Sequence, residues 1–339
     1  MLAWLMPAAT RAEEHPSGLM FGSEKVLRNC WSDADLFGKP EDKIIIRTRH
    51  LSPQPPLLLT PVNELCPTKP VPANSIRRVI PVGNKKVIAL TFDLCERADE
   101  VTGYDYDIVN YLRAHHIHAT FFAGGKWMQS HPVKAMQLMA DPLFEIGNHS
   151  WSHVNMRVVG RDEQLQQILL TQAEYRELRR QLASWPCAQR AGANELAKIP
   201  AVPYCFRFPF GTCAPESLQL MQRLKLSAVQ WDVVADDSEK GQSAERIARN
   251  IVRHTQPGSI IVCHANGRGR QTAQALALLV PELEKRGYAF VTVSELLTYG
   301  QAFAASECYE LVPGDNKRYD KLFGEGVANP KKQGNTTIP

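Results

Sequence analysis

Two acids stand close together where an apolar run ends: Asp93 and Glu96, in ALTFDLCE at residues 89–96. A carboxylate at such a point can take a proton from a water attacking a carbonyl. Equally, it can be a strand-end acid hydrogen-bonded to the following turn. Two imidazoles follow at HxxxH spacing, His149 and His153 in HSWSH. On a helix or tight turn this spacing puts both rings on one side, where neutral imidazole suits zinc and its neighbours. The alternative is a polar loop with two solvated histidines. No Glu follows the first His, so the zincin pattern is absent. His264 ends another apolar run, IIVCH. It reads either as a hydrogen-bonded strand-end residue or as a general acid for a leaving nitrogen. The second reading needs an orienting carboxylate to keep it protonated, with Asp232, Asp236 and Asp237 as candidates. Arg207 lies in RFPF, where Pro209 restrains the preceding residues to extended shapes. There it either pairs with Asp93 and lowers its pKa or is a surface arginine beside a turn.

These side chains are far apart in the chain, so regular elements must bring them together. KVIALTFD is almost continuously apolar, as a strand buried on both faces should be. Further strand-like runs begin near residues 117, 144, 205, 227, 258 and 289, and helical patterns separate most of them. A Cys/Pro-rich insert at about 186–204 interrupts the series. Such alternation implies parallel βαβ units. With six or seven strands, an open doubly wound sheet and a closed barrel both fit, and both place chemistry at the C-terminal strand ends. Asp93, His149, Arg207, Asp237 and His264 all fall at such ends.

The chain has 339 residues, 44% of them hydrophobic, enough for a large core. Its 39 basic and 35 acidic residues leave a net charge of +4 with no long basic run, so nucleic acid is not implied. Eight cysteines contain no CxxC pair, which argues against a zinc knuckle or a thioredoxin-like site. Cys30, Cys66 and Cys308 lie in flanking segments, where bridges can tie tails to a core. The even count allows full pairing. The start, MLAWLMPAATRAEE, has an apolar stretch and a small-residue end without a basic region; it reads as a truncated signal sequence or an ordinary hydrophobic terminus. No run of 18 apolar residues exists, so no transmembrane helix is expected.

In chain order, TFDLC at 91–95, HSWSH at 149–153, RFPF at 207–210, WDVVADDS at 231–238 and IIVCH at 260–264 resemble the motifs of the NodB-homology polysaccharide deacetylases, a carbohydrate esterase family. HATFFAGG at 118–125 also resembles that family's second strand. The resemblance covers roughly residues 85–300. It implies an α/β fold, a distorted (β/α) barrel of about seven parallel strands, with irregular N- and C-terminal extensions. It divides the chain into an extension at 1–80, a deacetylase domain at 81–305 and a polar tail at 306–339.

The implied reaction is metal-dependent removal of N-acetyl groups from an N-acetylglucosamine polymer: peptidoglycan, a chitin-like chain or an exopolysaccharide. By motif position Asp93 is the base, His149 and His153 hold the metal, and Arg207 orients Asp93. The backbone N–H of Phe210 helps hold the oxyanion, His264 is the acid, and Asp237 tunes it. The expected cofactor is a divalent ion, zinc first, with cobalt or nickel as substitutes. The expected setting is secreted or periplasmic.

Two positions depart from the family pattern. Leu94 stands where the family has a second Asp, a usual metal ligand. Glu96, two residues on and longer, supplies the missing oxygen if the turn bulges; otherwise Asp93 itself is drawn to the metal. Ser238 stands where the family often has Trp, which alters one wall of the sugar pocket. Leu94 also keeps two rivals open, a carbohydrate-binding barrel that lost catalysis and a related C–N hydrolase acting on a small amide.

Overall fold

The computed structural model describes residue 19 and residues 21–47 and 72–322. The N-terminal apolar stretch, Cys66 and the end of the tail lie outside the described residues.

Eight strands build the central sheet: β1 (Val87–Leu94), β2 (Ala119–Ala123), β3 (Phe144–Asn148), β4 (Cys205–Phe206), β5 (Ser227–Ala228), β6 (Val233–Val234), β7 (Ile260–His264) and β8 (Ala289–Phe290). Seven run in the order β5-β4-β3-β2-β1-β7-β6, every pair parallel, and β8 pairs the first two residues of β1. The helices packed outside are α1 (Tyr106–Ala114), α2 (Gly125–Ser130), α3 (Pro132–Ala140), α4 (Arg161–Ser184), α5 (Pro215–Arg223), α6 (Ala244–His254) and α7 (Thr272–Lys285). Their spacing explains them. In α6 the buried residues are Ala244, Ile247, Ala248 and Ile251, one stripe at helical period, and the Ser243 hydroxyl caps the Arg246 N–H.

Strand period explains the layers. In β1, Ile88, Leu90, Phe92 and Leu94 face outward into the core under the helices, while Val87 and Ala89 face the barrel interior. Both faces are dry, so the strand reads as a continuous apolar run. Burying each Leu, Ile or Phe contributes about 1.5–3 kcal/mol.

The segment 227–237, which reads as one strand, is two. Val229–Asp232 carry the chain from β5 at one edge of the sheet directly to β6 at the other, with no helix between. Closure is reinforced by the strand Ser75–Pro81, which pairs antiparallel with Gly300–Ala305 and bridges to Val229 and Ser259. Gly258 is required there: its φ is +81°, and a Cβ would lie 1.8 Å from the Val79 carbonyl oxygen. The result is a distorted barrel rather than an open sheet.

The N-terminal extension also contains two short helices, Glu24–Cys30 and Asp33–Phe37, each capped by a serine hydroxyl. Cys30 bridges to Cys187 in the insert, and Cys213 bridges to Cys308 in the tail. Full pairing is not realised, because Cys95, Cys205 and Cys263 are buried thiols.

Candidate active site

Alternation brings the polar residues to one place. Along β1 the inward positions continue from Ala89 through Thr91 to Asp93. On β7 they are Ile260, Val262 and His264, and His264 is the register partner of Asp93. On β3 the inward series runs to His149, one residue past the strand end. On β4 it runs from Cys205 to Arg207. Asp93, His149, Arg207 and His264 therefore converge at the C-terminal mouth of the barrel.

Arg207 is fully buried and its guanidinium is committed throughout. It donates to Asp93 Oδ1 (2.8 Å), Thr91 Oγ1 (2.7 Å) and the carbonyls of Val229 and Gln230, over the ring of Phe122. Burial pushes the Asp93 carboxyl up, but Arg207, His149 and His264 outweigh it and hold the pKa below the usual carboxylate range. The surface reading of Arg207 is thereby excluded.

His149 donates from Nδ1 to the Arg207 carbonyl oxygen (2.9 Å), which leaves Nε2 as a lone pair facing the mouth. That buried Nε2 has no hydrogen-bond partner and lies 3.6 Å from Asp93 Oδ2, too far for one. The His153 ring centroid is 5.0 Å from that of His149 and 4.4 Å from that of Phe210. Burial lowers the pKa of both histidines, so both are neutral near pH 7. The HxxxH segment is a strained loop, not a helix. Ser150 and His153 have φ of +64° and +54°, and Phe210 opposite has +57°. Non-glycine residues held there cost on the order of 1–3 kcal/mol each. Asn148 Oδ1 accepts the Ser150 N–H, and Trp151 packs on Gly125, where a Cβ would meet the indole at 2.3 Å.

Among the three candidate carboxylates beside His264, Asp237 is the partner. Its Oδ1 lies 2.8 Å from Nδ1, and its Oδ2 accepts the His264 and Thr272 donors. Asp232 instead accepts from Ser259 and Ile260 at the opposite end of β7, and Asp236 lies beside Asn250. Burial pulls the His264 pKa down, yet the charge and hydrogen bond of Asp237, with Asp93, hold it above the ordinary histidine value.

Glu96 is not part of this group. It has the parity of outward-facing Leu94, and its carboxylate is taken up by Lys126 (2.7 Å), Ser130 (2.6 Å) and the Thr102 N–H (2.9 Å). The expectation that it turns toward the histidines is corrected: these bonds occupy the carboxylate, and the acid ties the strand end to α2. Cys95 has the parity of Asp93 instead. Its Sγ and one ring nitrogen each of His149 and His153 lie within 4.8 Å of one another. The orphaned His149 nitrogen and this compact donor set fit a divalent cation.

The cleft above these residues measures about 350 Å³ and is also lined by Trp231, Ser238, Arg97 and Arg268. Glu310, Leu311, Arg318 and Tyr319 of the tail complete it, with Tyr319 against Phe210 at 5.3 Å. Trp127 and Trp151 are buried core residues and take no part in the cleft wall.

Residues 81–229 match the Polysaccharide deacetylase family model. A peptidoglycan-N-acetylglucosamine deacetylase of Bacillus cereus is 31% identical over 218 residues, covering 64% of this chain and 90% of that protein. A second one from the same organism is 30% identical, covering 63% of this chain and 69% of that protein. A crystal structure of a peptidoglycan N-acetylglucosamine deacetylase with a bound N-oxidanyl-benzamide is 28% identical, with a TM-score of 0.53 over 66% of this chain and 93% of the other. The chain belongs to the NodB-homology polysaccharide deacetylases, a family of hydrolases.

Proposed function

We propose that this protein hydrolyses the N-acetyl group of N-acetylglucosamine units in peptidoglycan, releasing acetate. The observation that carries the reading is the placement of a low-pKa carboxylate, Asp93, beside a high-pKa imidazole, His264, on adjacent strand ends, next to two neutral histidines. Peptidoglycan is chosen because the two Bacillus cereus relatives are named for it.

His149 and His153 would hold a divalent cation, zinc first and cobalt or nickel as substitutes, which when bound polarises the acetamide carbonyl and the attacking water. Asp93, held by Arg207, takes the water's proton as the new C–O bond forms. The proposed donor to the developing oxyanion is the Phe210 N–H; such a donor is typically worth about 2.7–4 kcal/mol. His264, oriented by Asp237, gives its proton to the sugar nitrogen as the C–N bond breaks. The products are acetate and the free amine. A pure carbohydrate-binding barrel has no use for this acid–base pair.

The two disulfides favour an oxidising compartment, outside the cytosol in the bacterial envelope. Among the described residues no helix is long and apolar enough to cross a membrane. Acetate release from purified peptidoglycan fragments, compared with a small N-acetyl amide, tests the reading. Turnover of the small amide alone sinks the polymer assignment; turnover of neither sinks the activity.

A further inference from the structure

We infer that Cys95 is the third protein ligand of the cation held by His149 and His153. The inference rests on the reading above that the histidine pair binds a cation.

Strand parity carries the first part of the argument. β1 ends at Leu94, and the side chains on its inner face are those of the odd-numbered residues. Cys95 is the next odd position. It therefore turns toward the mouth of the barrel, while Leu94 is buried in the outer core and offers no donor atom. The acid next in sequence, Glu96, faces outward and is already bonded to Lys126 and Ser130.

Geometry carries the second part. Among the described residues the donor atoms of Cys95, His149 and His153 form the one group of three His, Cys, Asp or Glu residues compact enough for an ion, with all separations within 4.8 Å. A tetrahedral site with the usual Zn–S and Zn–N bonds needs about 3.3–3.6 Å between donors. Closing the remaining gap takes on the order of 1 Å. The His149 lone pair is already aimed, because Nδ1 is fixed on the Arg207 carbonyl. The backbone of Cys95 is fixed as well: its carbonyl oxygen accepts from Thr102 Oγ1 (2.9 Å) and Asn266 Nδ2 (2.7 Å), on two separate segments. Cys95 also stays outside the two disulfides.

Charge balance is the third part. Two neutral imidazoles need one anionic partner if the site is to leave a single positive charge for the substrate carbonyl. Cation binding converts the Cys95 thiol to thiolate and releases one proton to solvent. Sulfur also shifts selectivity, favouring zinc and cobalt over magnesium and manganese.

The test uses the full chain, stripped with a chelator and titrated with Co²⁺ or Zn²⁺ alone. One equivalent of Co²⁺ is expected to give a near-ultraviolet thiolate-to-cobalt absorption band. Cys95→Ser should lose the band, and Cys95→Asp should lose it while still retaining one equivalent of zinc by metal analysis. One equivalent of cobalt bound without the band, or a band that persists in Cys95→Ser, overturns the inference and leaves the histidine reading standing. Failure of wild type to bind either ion, or unchanged binding in the His149→Ala, His153→Ala double variant, overturns both. Zinc X-ray absorption on the wild-type chain asks the same question without a variant. One sulfur at about 2.3 Å is expected, and a shell of nitrogen and oxygen alone is the contrary result.

Discussion

Asp93 and His264 are register partners on neighbouring parallel strands, so their side chains leave the sheet on the same face and at the same height. Asp93 is braced by Arg207 and His264 by Asp237, two separate supports for two groups of opposite protonation. In the proposed roles, base for Asp93 and acid for His264, these supports favour the working protonation state of each.

The first expectation follows from that pairing. Asp93→Asn and His264→Ala should each lower acetate release by about 10²–10⁴-fold, with the fold intact. Rate measurements on N-acetylglucosamine oligomers, with thermal melting as the folding control, check this. Wild-type turnover in either variant would remove that residue from the chemistry.

The pH profile should be asymmetric in a defined way. His264 must carry its proton to act as the acid, and its pKa is raised, so activity persists above the ordinary histidine value of about 6.5 and falls as pH rises through the raised one. Asp93 must be ionised, and its pKa is lowered, so its limb lies on the acid side of the usual carboxylate range. Asp237→Asn removes the charge that raises His264 and should move the alkaline limb of kcat/KM to lower pH. An unmoved limb would show that another group sets it.

Glu96→Gln should damage stability and spare the metal. The Glu96–Lys126 pair is buried on both sides, and breaking such a pair costs about 3–5 kcal/mol. Urea unfolding should show the loss, while metal content per folded chain stays at the wild-type level. A variant of normal stability that cannot retain metal would return Glu96 to the candidate ligands.

Cys308→Ser removes one tether of the tail whose Leu311 and Tyr319 line the cleft. Loss of the bridge is expected to cost about 2–4 kcal/mol and to raise KM more than it lowers kcat, since the tail lines the cleft and supplies neither proposed acid–base group. Steady-state kinetics and calorimetric melting of the variant distinguish this from a purely structural bridge, which would change melting alone.

Much of the barrel is legible in the sequence because its strands are dry on both faces, so 87–94 and 260–264 stand out as apolar runs ending in polar residues. Asp93, His149, Arg207 and His264 are found the same way. The Glu96 expectation fails because it weighs side-chain length and ignores period: Leu94 and Glu96 share the outer face, Asp93 and Cys95 the inner one. Parity puts Cys95, not Glu96, on the face of Asp93. The split at 229–232 is not legible, since two short strands on opposite edges leave the same apolar texture as one. The tail is hidden for a different reason. Its place is set by a bridge 95 residues long in sequence and by Asn316, which donates to the Gly211 carbonyl, and neither contact leaves a local pattern.

Among the described residues two bridges coexist with three buried thiols, which constrains how the chain matures. The correct bridges join partners 157 and 95 residues apart, whereas Cys95, Cys205 and Cys263 sit in or beside strands of the central sheet. An oxidant that arrives before those strands pair meets seven equivalent sulfurs within the described residues alone. One that arrives afterwards meets four. Strand pairing is thus what protects the three thiols from scrambling, and refolding under oxidant should trap mispaired chains unless collapse comes first.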